Sequence, residues 1–156
     1  MIEIKELSIY LIRTNSDNNE FKALVKELDK DLAIRDGEDH AFYSQFNKIA
    51  AIKYVVLAYN NKEAVGCGAI KEFEADTMEV KRMFVPLEYR GKGIASLVLK
   101  ELETWAKELG YKKCILETGI KQPEAIKLYN KNNYKLIKNY GQYAGVADSV
   151  CFDKDL

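Results

Sequence analysis

Apolar and polar positions change their spacing several times along the chain, and each change marks an element. Alternation over residues 2–12 predicts a first strand. Phe21, Leu24, Val25, Leu28 and Leu32 then recur at helical spacing, and Asp17-x-x-Glu20 just ahead of them offers a capping box to open the helix. Gly37 breaks this helix, and Ala41, Phe42, Phe46 and Ile49 support a second, shorter one. Strand-like runs follow at 54–59 and 64–70, joined by a hairpin turn at Asn60-Asn61-Lys62-Glu63. A further turn near Ala75-Asp76 leads to a run at 77–85, so three antiparallel strands are expected ahead of the glycine-containing segment at 90–95.

Beyond this point Ile94, Val98, Leu102, Trp105 and Leu109 line one helix face, Glu103 and Lys107 are spaced to pair at i,i+4, and Gly110 supplies a stop. Residues 113–118 form a β-rich run, expected to lie parallel to 77–85 because a helix crosses between them. Pro123 opens another helix through residue 132, and 134–138 with 149–152 can form a terminal hairpin. The order is α+β, with a mixed sheet flanked by helices.

Composition narrows the class. A chain of 156 residues, 47% hydrophobic, suits one domain over 1–156 with a real core. Lys plus Arg and Asp plus Glu are both 24, so the chain lacks the basic footprint of a nucleic-acid binder. Apolar stretches such as 55–59 fall short of a membrane span, and Met1-Ile2-Glu3-Ile4-Lys5 lacks a signal peptide's order, which makes the cytoplasm the expected compartment. Cys67, Cys114 and Cys151 each lie in an apolar run and read as buried free thiols rather than bridges or metal ligands. A nucleophilic cysteine needs a base, and the one histidine, His40, lies in a different region of the chain.

The junction between the run at 77–85 and the helix after it is the main chemical signal. In Arg90-Gly91-Lys92-Gly93-Ile94-Ala95 two glycines let the backbone turn so that successive N–H groups face one concavity, and the following helix adds its positive N-terminal dipole. Arg90 and Lys92 can supply charge at the rim, so the expected ligand is a nucleotide-like diphosphate. A Walker A loop would need Lys-Ser/Thr after the last glycine, where this chain has Ile94 and Ala95. A dinucleotide fingerprint would need a third glycine where Ser96 stands. Arg90, Gly93 and Ala95 instead resemble the acetyl-CoA signature of the GNAT superfamily of N-acetyltransferases. The resemblance extends to Glu79-Val80-Lys81-Arg82-Met83-Phe84-Val85-Pro86, similar to the family's central strand, and to Ala125-Ile126-Lys127-Leu128-Tyr129-Asn130-Lys131, similar to its next helix. It covers roughly the C-terminal half of the chain.

The resemblance implies a mostly antiparallel central sheet whose central strand is bulged and splayed from its neighbour. Main-chain groups of Met83, Phe84 and Val85 would then pair with the pantetheine arm of acetyl-CoA like one more strand. The amides of Arg90, Gly91, Lys92, Gly93, Ile94, Ala95 and Ser96 would hold the pyrophosphate. Gln122 stands where the family often has Asn, three residues before the alanine, which leaves its hydrogen-bond geometry open. Transfer of the acetyl group directly to a primary amine, with no metal, would need a base or a water relay, because a lysine-like amine with a pKa of about 10.4 is mostly protonated at neutral pH. Glu79 is the first candidate by position and Glu117 the second, although Glu79 reads equally well as half of an ion pair with Lys81 or Arg82. Tyr129 is the candidate acid for the departing thiolate, and also a candidate cofactor contact.

The resemblance also implies that the first two helices and the terminal hairpin shape the acceptor site. Those regions contain Glu38, Asp39, His40, Phe42, Tyr43, Phe46 and Asn47, and Asn139-Tyr140-Gly141-Gln142-Tyr143. Phe42, Tyr43, Asn47, Tyr140 and Tyr143 are the candidate substrate contacts, an aromatic and amide-rich set suited to a small amine. The 139–143 loop reads equally as a plain hairpin connection or a contact in a homodimer, and His40 as a solvated helix residue. The expected function is a small-molecule N-acetyltransferase. The alternatives are an enzyme acting on a protein's lysine or N-terminus, and an acyl-CoA-binding module with little catalysis.

Overall fold

The computed structural model describes residues 7–37 and 51–156, and it contains a seven-stranded sheet in the order β1-β2-β3-β4-β5-β7-β6. The strands are β1 Ile9–Thr14, β2 Tyr54–Asn60, β3 Glu63–Glu74, β4 Thr77–Phe84, β5 Lys113–Gly119, β6 Lys135–Ile137 and β7 Ser149–Asp155. Three helices are described: α1 Asn19–Asp36, α2 Ile94–Glu108 and α3 Pro123–Lys131. Among the described residues no helix is long and apolar enough to cross a membrane. The second helix expected at 41–49 falls outside the described residues, as does the start of the first expected strand.

Both faces of the sheet are covered, which is why its central strands read as continuous apolar runs rather than alternating ones. Val56, Ala58, Ile70, Met78 and Val80 pack with Val98, Leu99 and Leu102 of α2, while Val55, Leu57, Cys67 and Phe84 pack with Phe21, Leu24 and Val25 of α1. Every neighbouring pair is antiparallel except β4 and β5, which run parallel with α2 as the crossover between them. Cys67, Cys114 and Cys151 are all buried and free, as their apolar surroundings implied.

Several local expectations are corrected. β1 extends to Thr14, past residue 12, because its register with β2 continues to Thr14↔Val55. The cap of α1 is Asn18 rather than Asp17: its Oδ1 accepts from the amides of Glu20 at 2.9 Å and Phe21 at 3.0 Å, satisfying two donors that the first turn leaves over. Glu103 does not pair with Lys107. It is buried against the sheet, where Lys154 donates to it at 2.9 Å and the Tyr134 hydroxyl at 2.9 Å. Leu109 is 41% exposed, since the helix ends there. Gly110 takes φ 93° and donates to Lys107 O, and Tyr111 donates to Ala106 O, a Schellman closure that turns the chain into β5. β7 runs on to Asp155 because it pairs with β5 as well as with β6.

Candidate active site

The parallel pairing of β4 with β5 is short: Thr77↔Lys113, Met78↔Cys114 and Glu79↔Ile115. Beyond Glu79 the two strands separate, so residues 80–84 of β4 and 116–119 of β5 face a gap instead of each other. A bulge on β4 helps to open it. Between Cys67↔Phe84 and Ala69↔Lys81 the partner strand advances two residues while β4 advances three, and Arg82 takes φ 60°. Gly68 lies opposite this bulge, where an added Cβ would come within 2.4 Å of Met83 Sδ and 2.9 Å of Leu102 and Val98. Glycine is needed there for strand and helix to approach closely.

The gap opens into a cleft of about 670 Å³. One wall is β4, with Glu79, Lys81, Arg82, Met83, Phe84 and Val85, and the other is β5 and α3, with Glu117, Thr118, Gly119, Gln122, Ala125 and Tyr129. Leu28, Asp31 and Leu32 of α1 and Tyr143 also line it. At one end Arg90, Gly91, Gly93, Ile94, Ala95 and Ser96 form the turn into α2. Gly91 and Gly93 take φ 79° and 81°, Gly93 is the N-cap, and no side chain caps the helix. The first-turn amides of α2 therefore remain available to an anion, next to the positive end of the helix dipole. Lys92 is exposed and does not line the cleft, so of the turn's two cations it is Arg90 that stands at the wall. Arg90 is held in place: Nε donates to Val85 O at 2.7 Å and Nη2 lies 3.7 Å from Asp31 Oδ2.

The candidate catalytic groups converge on this cleft. Glu79 is 9% exposed, accepts from the Tyr140 hydroxyl at 2.6 Å and lies 3.5 Å from Lys81 Nζ. The ion pair with Lys81 considered from sequence is present, whereas Arg82 turns away to Asp29 at 3.0 Å. Glu117 accepts from Ser149 Oγ at 2.7 Å. Tyr129 is 5% exposed, its ring packed on Tyr134 and Phe152, and its hydroxyl has no hydrogen-bond partner among the described residues. Burial, with the Glu117 charge second, pushes the Tyr129 pKa up, so the phenol keeps its proton. Burial also raises the pKa of Tyr140 and of Tyr143, with Glu79 next for Tyr140 and Glu117 next for Tyr143.

Of the expected acceptor residues, Tyr143 lines the cleft, and Tyr140 lies behind it, its ring against Phe73 and Tyr143 and its hydroxyl on Glu79. Phe42, Tyr43 and Asn47, with Glu38, Asp39, His40 and Phe46, lie outside the described residues. Asp31, Arg82 and Thr118 line the cleft without having been singled out from sequence. The Asp31 and Arg82 signals were hidden, because one sits on a helix read only for its apolar stripe and the other is redirected by a bulge that breaks strand alternation. Among the described residues no group of three or more His, Cys, Asp or Glu side chains converges as a metal site would require.

A bulged strand splayed from its parallel neighbour, with an amide cradle at the opening, defines a class of cofactor-binding transferases, and the chain belongs to one family within it. Residues 21–134 match the GNAT acetyltransferase family, and the protein is an acyltransferase. It is 35% identical over 102 residues to the IAA acetyltransferase of Azospirillum brasilense, spanning 65% of this chain and 67% of that one. Its fold is shared with a Klebsiella pneumoniae protein assigned to the acyl-CoA N-acyltransferases, at TM-score 0.79 and 27% identity over 95% of this chain and 97% of that one. It is shared as well with a GNAT acetyltransferase from Elizabethkingia anophelis solved with acetyl-CoA bound, at TM-score 0.67 and 20% identity over 95% and 98%.

Proposed function

We propose that this enzyme transfers the acetyl group of acetyl-CoA directly to the primary amine of a small molecule. The observation that carries the reading is the splayed β4–β5 cleft, with glycine-turned amides at one end and Glu79, Glu117 and Tyr129 along its walls. The cleft suits this donor. Gly91 and Gly93 have open space where a Cβ would project, and the unpaired edge of β4 can meet an amide-bearing arm. Amides from Gly91 to Ser96 hold the diphosphate, and Met83, Phe84 and Val85 pair with the arm through their main chain. When bound, acetyl-CoA supplies an activated thioester carbonyl.

The chain's own groups handle the protons. Glu79, held by Tyr140, accepts the proton that a primary amine must lose before it can attack, and Glu117 is the second group placed for that task. Tyr129 offers a protonated phenol to the departing sulfur. The three cysteines are buried, with Cys67 and Cys114 pushed up to about 12 and Cys151 to about 11. A thiolate acyl carrier is disfavoured on that ground, which supports a single transfer without a covalent enzyme intermediate. Tyr143 and the aromatic loop around it favour a small acceptor over a protein surface, and the presence of both Glu79 and Tyr129 favours an enzyme over a binding module.

Thiol release from acetyl-CoA, followed across amino acids, polyamines, aminoglycosides and short lysine or N-terminal peptides, tests this reading. Release that depends on a free small amine is the expected result. Release only with lysine or N-terminal peptides whose C-terminus is blocked would move the acceptor to a protein, and silence across the panel would leave a binding module.

A further inference from the structure

Arg82 has a donor that no described residue meets. Its side chain is 3% exposed, Nη1 lies 3.0 Å from Asp29 Oδ1, and Nη2 is buried with no hydrogen-bond partner among the described residues. A guanidinium stays charged at every working pH, so an unmet buried N–H on it is unfavourable unless something else supplies the acceptor. The residue lines the cleft. It does so because of the bulge. Glu79 and Lys81 pair on one face of β4, and regular alternation would send Arg82 to the opposite face, toward α2. The extra residue, with Arg82 at φ 60°, returns its side chain to the α1 side beside them, and Met83 takes the place against α2.

The same cleft is therefore lined by the carboxylate residues Glu79 and Glu117 and by Arg82, whose second guanidinium nitrogen is unmet among the described residues. This arrangement matches a molecule with an amine at one end and an anion at the other. Asp29 already balances the charge of Arg82 and Glu79 that of Lys81, leaving one unmet guanidinium N–H rather than an excess of positive charge, so a singly charged carboxylate suits the site better than a phosphate dianion. We infer that Arg82 anchors a carboxylate of the acceptor, and that the amines this enzyme acetylates are amino carboxylates: amino acids or short peptides with a free C-terminus. The inference rests on the amine-acceptor reading above and narrows it.

The test uses matched acceptors, each amino acid or dipeptide beside its own C-terminal carboxamide, with thiol release from acetyl-CoA as the readout. The acid is expected to exceed its amide in kcat/KM by about 10- to 100-fold, mainly through KM, as for loss of a charge-assisted hydrogen bond. Arg82→Gln is expected to bring that ratio close to one by raising KM for the acid. Equal use of acid and amide by the wild type overturns the inference while leaving amine acetylation standing, and so does an Arg82→Gln enzyme that keeps the preference. If that variant does not fold, the wild-type ratio decides alone. Absence of thiol release with any amine overturns the amine-acceptor reading, and this inference with it.

Discussion

Tyr129 and Glu79 hold their places by different means, and this predicts how each fails. Tyr129 is fixed by ring packing on Tyr134 and Phe152, so removing its hydroxyl leaves the wall of the cleft intact. Tyr129→Phe is expected to lower kcat by about 10- to 100-fold and to leave acetyl-CoA affinity nearly unchanged, measured by steady-state kinetics and by direct titration. Its pKa is raised, which keeps the proton on the phenol through the neutral and mildly alkaline range. Any alkaline fall in kcat below about pH 10 should therefore persist in Tyr129→Phe, because the ordinary tyrosine value is already that high. Glu79 is held by Tyr140 and Lys81. Glu79→Gln should depress the rate at neutral pH by about 100-fold and change the pH profile of kcat/KM. An unchanged profile would move the base to Glu117 or to water.

At the scale of elements, the cleft is a product of strand divergence and one helix start. Gly93 can cap α2 because glycine tolerates φ 81°, and a side chain there would be strained even with open space around it. Gly93→Val is expected to abolish acetyl-CoA binding in a calorimetric titration while thermal unfolding stays cooperative, since the position lies at the surface. Retained affinity would remove the turn from the donor site. α1 has a part in the same cleft. Asp31 faces Arg90 at 3.7 Å and lies 3.2 Å from Arg35, which in turn pairs with Glu124 at the start of α3. This chain of charges joins α1, the cradle and α3 along the rim. Only its Asp31–Arg35 link is local, at i,i+4 on α1; Arg90 and Glu124 join from far along the chain, whereas the turn itself is written in six consecutive residues.

For the whole molecule, the two-sided core decides which groups react. All three thiols are buried, and desolvation is the first cause of each raised pKa. The native protein is expected to show no rapidly reacting thiol toward an aromatic disulfide reagent at pH 8, and to expose all three on unfolding in denaturant. A fast stoichiometric reaction would place at least one cysteine in contact with solvent. Among the described residues the order of elements was legible in the sequence, because hydrophobic spacing, the Gly110 stop and the Pro123 start are local signals that short-range sterics and hydrogen bonding impose. So was the glycine turn into α2, whose glycine spacing and following amphipathic helix lie together in the chain. The hydroxyl donors to Glu79, Glu117 and Glu103 were not, since each comes from a side chain at least 31 positions away, whereas the Lys81 partner of Glu79 is local. The side-chain direction of Arg82 was not legible either, because one inserted residue reverses the alternation on which strand reading depends. The local code of this chain thus determined its elements and its cradle. Only tertiary packing, which pairs distant strands and lets two of them part after Glu79, decided where the cleft opens and which charges face into it.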